Sequence, residues 1–146
     1  MIRTLLLLAL FSITVSEGKY PQWSFFTVCS NQYYSHDKTN LCKIKRLEFG
    51  HHVHGIKDLF DCVFMGYQWQ TVAHPRTLQP NTIISDLKAN GLNENDARPV
   101  VTNCQKTHGS KITALQYFMC LWNNAKTKPG ILKWIKIKNE NFFKPC

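Results

Sequence analysis

The chain has 146 residues, 44% hydrophobic and 18% charged, and its formal net charge at neutral pH is +9. That length suits one domain and leaves no room for a second, since single domains commonly run to about 100–150 residues. Past the N-terminus no segment approaches the roughly 18 apolar residues that a membrane-spanning helix needs, and the positive surplus favours anionic partners while also keeping a protein soluble.

Met1 to Gly18 reads as a secretory signal peptide, with Arg3, an apolar run from Leu5 to Val15, and small residues at Ser16 and Gly18 for cleavage. Arg3 and Glu17 leave together, so the charge survives processing, and a single extracellular domain over 19–146 is expected. Six cysteines in such a chain imply three disulfides. The gaps between them (12, 19, 41, 15 and 25 residues) hold no C-x-x-C of a zinc or redox site, and spacing leaves the pairing open.

Apolar residues recur at helical spacing and period-two alternation is scarce, so the fold class is all-α. A first short helix contains Trp23, Phe26 and Cys29. A second runs from Lys38 to Phe49 with Leu41, Ile44 and Leu47 inward, and Gly50 with His51, His52, Val53, His54 and Gly55 breaks the pattern. The third spans Ile56 to Trp69, its stripe formed by Ile56, Leu59, Phe60, Val63, Phe64 and Tyr67.

Beyond a loop at His74 and Pro75, a fourth helix covers Thr82 to Asn90, with Asn81 as cap and Gly91 as stop. Asn93 caps a fifth that carries Val100, Val101 and Cys104, and Pro99 limits the regularity of its start. Ser110 opens a sixth through Ile112, Leu115, Phe118, Met119 and Trp122. The last, Ile131 to Lys138, is set off by Pro129 and Gly130, and Cys146 ties down the tail. No repeat, low-complexity stretch or N-x-[ST] acceptor is present.

The bunched His51, His52 and His54 read as a solvated Gly-bounded loop, since the H-E-x-x-H helix of zinc proteases is absent. Secreted ribonucleases and phospholipases place a histidine against a second acid, base or metal ligand, but among His36, His74 and His108 no H-D or D-H pair lies in a helix preceded by a calcium-binding loop, so a binding protein without metal or cofactor is expected, not an enzyme. Lys43, Lys45 and Arg46 form one basic cluster and Lys133, Lys136 and Lys138 another. Nucleic acid is not an expected specific partner of an extracellular protein, and with no heptad repeat or exposed apolar stripe a monomer is expected.

Specific strings carry more. Phe25-Phe26-Thr27-Val28-Cys29-Ser30-Asn31-Gln32-Tyr33-Tyr34, Leu41-Cys42-Lys43-Ile44-Lys45-Arg46, Asp61-Cys62-Val63-Phe64-Met65-Gly66, Asn103-Cys104 and Tyr117-Phe118-Met119-Cys120-Leu121 together resemble the D-seven salivary family of blood-feeding flies and mosquitoes, in its short forms. The resemblance implies an odorant-binding-protein-like bundle of about seven helices around a central pocket. It also implies the pairing Cys29 with Cys62, Cys42 with Cys146 and Cys104 with Cys120, and secretion in saliva to sequester host mediators of haemostasis and inflammation.

That family is best known for binding serotonin, histamine and catecholamines, whose ammonium needs buried carboxylates. At the corresponding positions this chain has Lys45 for an arginine, Leu59 for a histidine, Phe118 for a tyrosine, Trp134 and Ile135 for an aromatic and an aspartate, and Lys138 for a glutamate. Glu140 is the sole acid after Cys104. The expected ligand pocket therefore consists of Lys45, Leu59, Phe118, Trp134, Ile135 and Lys138, with classical amine binding weak or lost. Three readings follow: an apolar anion such as a fatty-acid-derived mediator in the pocket, polyanions or clotting factors on the basic surface, or residual amine binding through Glu140.

Overall fold

A computed structural model describes residues 24–146, which form seven α-helices and, apart from one isolated bridge between Gln70 and Leu78, no sheet. The expected signal peptide and Trp23 lie outside the described residues. α1 (Phe25–Tyr33) opens at Ser24, whose hydroxyl accepts the Thr27 amide, and α2 (Lys38–Lys45) at Asp37, whose carboxylate accepts the Asn40 amide. Each cap satisfies an N–H that the first helical turn leaves without an intrahelical partner.

α2 stops four residues before the expected Phe49, because the chain turns through a left-handed Leu47 (φ 63°) that drops Phe49 into the core. α3 (Ile56–Gly66) buries the predicted stripe of Ile56, Leu59, Phe60, Val63 and Phe64. It ends three residues before the expected Trp69, where Gln68 is left-handed (φ 59°). Gly66 lets α1 cross closely, since a Cβ there would collide with the Phe25 ring.

α4 (Pro80–Ala89) starts two residues earlier than expected, with Pro80 in its first turn and Gln79, not Asn81, at the cap. α5 (Glu94–His108) starts at Asn93, whose side chain accepts the Asn95 amide, and continues through Pro99. Ser110 does not open α6: Gly109–Lys111 is a 3-10 turn, and α6 (Ala114–Asn123) begins at a capping box between Thr113 and Gln116. α7 (Lys128–Lys138) begins three residues before Ile131 and takes Pro129 into its first turn, where a missing N–H costs little.

α1 packs on α3, α3 on α6, α6 on α5 and α7, and α4 on α5 and α7. The core they enclose is rich in rings: Phe26, Phe60, Phe64, Trp69, Tyr117, Phe118 and Trp134 are all fully buried. Disulfides join Cys29 to Cys62 (α1 to α3), Cys42 to Cys146 (α2 to the tail) and Cys104 to Cys120 (α5 to α6). Among the described residues no helix is long and apolar enough to cross a membrane.

The second and third bridges share a Cα–Cα distance of 5.8 Å but span 104 and 16 residues. Loop closure predicts that Cys42→Ala with Cys146→Ala costs about 4–5 kcal/mol, and Cys104→Ala with Cys120→Ala about 3 kcal/mol. Urea denaturation of the two double variants checks this, and a reversed order would show that something other than loop length sets their contributions.

Candidate functional site

Four of the six expected pocket residues meet in the core. Leu59 on α3, Phe118 on α6, and Trp134 and Ile135 on α7 are at most 1% exposed. Phe118 lies on Phe60 with centroids 4.4 Å apart and stacks on Trp122 at 5.9 Å. Trp134 stacks on Trp69 at 4.7 Å and meets Tyr67 edge-on at 4.8 Å. Side chains thus fill the centre of the bundle, offset stacks and edge contacts being the preferred geometries of aromatic pairs.

The two expected cations are placed differently. Lys45, half-buried at the end of α2, holds its ammonium 5.8 Å from the Phe142 ring centroid, a cation–π contact at the edge of the core. Lys138 is exposed and, with Glu140, Ser24, Val28 and Ile137, lines a separate shallow cleft of about 370 Å³. The structure therefore places Leu59, Phe118, Trp134 and Ile135 in one buried core, with Lys45 half-buried at the Phe142 ring and Lys138 exposed. Glu140, to which residual amine binding was assigned, is exposed with Lys138.

An acid absent from the sequence reading is buried here. Asp86 on α4 is 6% exposed, and its carboxylate accepts a 2.7 Å hydrogen bond from the Trp69 indole N–H. Asn90 donates to the Asp86 carbonyl at 2.7 Å. The signal was present in the spacing, since Ile83, Asp86, Leu87 and Asn90 follow the i, i+3, i+4, i+7 rule of a buried stripe.

A second buried polar knot joins three elements. The Tyr67 hydroxyl donates to Asn139 Oδ1 at 2.8 Å, and the Ser24 hydroxyl donates to the same oxygen. Burial pushes the Tyr67 phenol pKa up, and its hydrogen bond to Asn139 opposes the shift. His51, His52 and His54 are exposed on the turn between α2 and α3, where the Tyr34 hydroxyl donates to the His54 carbonyl at 2.7 Å. Among the described residues no three of His, Cys, Asp and Glu gather in a way that could hold a metal ion.

No family model matches the chain. It is similar to the Short form salivary protein D7S1 of Aedes aegypti, 26% identical over 122 residues that cover 83% of this chain and 82% of that protein.

Asp86→Ala would strand the Trp69 N–H in the core and is expected to cost about 1–3 kcal/mol. Asp86→Asn, which keeps an acceptor, should cost less. Tryptophan fluorescence during urea unfolding reads both, and an Asp86→Ala protein as stable as the parent would remove the carboxylate from its anchoring role.

Proposed function

We propose that this chain, a relative of the D-seven short-form salivary proteins, is a secreted salivary ligand-binding protein that sequesters a small host mediator of haemostasis or inflammation, and that the mediator is apolar and anionic instead of a cationic amine. An ammonium group taken from water into a protein interior needs a carboxylate to offset its desolvation. One observation carries the reading: Leu59 and Ile135, where the family has a histidine and an aspartate, are apolar and fully buried.

The cation at the margin of the core has the complementary sign. Lys45 over the Phe142 ring can pair with a carboxylate whose apolar body lies against Phe118 and Trp134. Lysine keeps the charge of an arginine without its planar fork, so the head group is held as a point charge and less by shape.

A second reading, binding of polyanions or clotting factors on the surface, draws support from the exposed Lys133 and Lys136 of α7 and from the charge of +9. Salt separates the two. Surface polyanion binding weakens steeply with ionic strength, whereas binding in a buried site is screened far less.

Calorimetric titration of the signal-free, disulfide-intact protein with serotonin is expected to give no heat of binding. One-to-one binding at a micromolar Kd or tighter would overturn the ligand class and assign the counter-charge to Asp86 or Glu140.

A further inference from the structure

The segment after Trp69 is folded back on itself by its own hydrogen bonds. The Gln79 amide donates to the Trp69 carbonyl at 2.7 Å, the Thr71 amide to the Thr77 carbonyl at 2.9 Å, and the Thr77 amide to the Thr71 hydroxyl at 2.8 Å. Held in this way, the loop presents Arg76 and Leu78 to the last turn of α5 and the 3-10 turn after it. Between them lies a half-open cleft of about 650 Å³. Pockets that take small molecules commonly measure about 300–1,000 Å³.

The lining of this cleft has one sign of charge. Arg76, Lys106 and Lys111 border it, no acid among the described residues does, and Leu78, Ile112 and Pro75 supply apolar surface. The Arg76 guanidinium is fixed 2.9 Å from the Asp61 carboxylate, which neutralises it. Lys106 and Lys111 make no ion pair among the described residues.

A cation in the last turn of α5 would be explained by the helix dipole alone, whose carbonyl end carries about half a negative charge. Lys106 meets that need. Lys111 comes from the next element, so even with Arg76 neutralised by Asp61 the charge at the cleft exceeds what capping requires.

We infer that this cleft is a second binding site, separate from the central aromatics, for a small amphipathic anion: one anionic head between Lys106 and Lys111, with its apolar body on Leu78 and Ile112. It goes beyond the reading above, which concerns the core next to Lys45.

The probe is decanoate, used below its micelle concentration with the disulfide-intact protein and followed by amide shifts in two-dimensional NMR. Shifts are expected at residues 75–78 and 105–112. Reversing both exposed cations, Lys106→Glu with Lys111→Glu, should weaken binding roughly tenfold or more, because paired opposite charges become like charges. Thr77→Tyr, which fills the cleft without altering charge, should weaken it too. Lys45→Glu should leave it unchanged, and acetate, a head group without an apolar body, should not bind.

Decanoate binding that ignores the double reversal but is lost in Lys45→Glu would place the ligand in the core, overturning the cleft while sparing the proposed function. Absence of decanoate binding also overturns the cleft, and the serotonin titration then judges the proposed function separately. Heparin binding that depends on Lys106 and Lys111 while decanoate stays silent would assign those lysines to a polyanion surface and overturn it as well.

Discussion

Trp69 is the side chain on which the remaining packing depends. The chain leaves α3 through a left-handed Gln68, and the indole that follows is fully buried, stacked on Trp134 of α7 and hydrogen-bonded to Asp86 of α4. Three elements are thereby positioned by one residue. Neither partner of the hydrogen bond could be buried cheaply alone: an unpaired indole N–H costs about 1–3 kcal/mol and an unpaired carboxylate more. The consequence is that the aromatic core and its buried acid hold each other in place.

The opposite margin is closed by the tail. Phe142 and Phe143 pack on Phe26 with centroids 5.5 and 4.9 Å apart, and Phe143 also reaches Phe49 at 6.4 Å. The Cys42–Cys146 bridge keeps that tail against α2, so Lys45 and Phe142 stay adjacent.

The sequence made the helices legible where a stripe is long and regular. Ile56, Leu59, Phe60, Val63 and Phe64 face the core as their spacing requires. Boundaries were less legible, because tertiary packing overrides the local pattern: Phe49 and Trp69 fit a helical period yet reach the core through left-handed residues that end their helices. The starts of α6 and α7 were misplaced at Ser110 and Ile131, although Thr113 and Gln116 have capping-box spacing and proline suits a first turn. Asp86 precedes the segment after Cys104 where the resemblance places the carboxylates, yet it lies on the apolar stripe of α4. The cleft lay beyond reach for a different reason. Arg76, Lys106 and Lys111 come from separate elements, and only the fold-back after Trp69 joins them.

The two places for an apolar anion differ in what occupancy requires. In the centre, a ligand must displace at least one large ring from a packed core. Re-exposing such a side chain costs about 1.5–3 kcal/mol, and the ring pairs it leaves are worth about 0.5–1.5 kcal/mol more. Affinity falls about tenfold for each 1.4 kcal/mol so spent. The cleft is already open and needs no such displacement, but being half-open it buries less of whatever binds. A short apolar body cannot recover the cost of opening the core and is better accommodated between the loop after Trp69 and the end of α5. A longer one can replace the ejected ring with comparable apolar area, and for it the core, with Lys45 at its edge, becomes the stronger site. The length of the apolar body therefore decides which of the two proposed sites fills first.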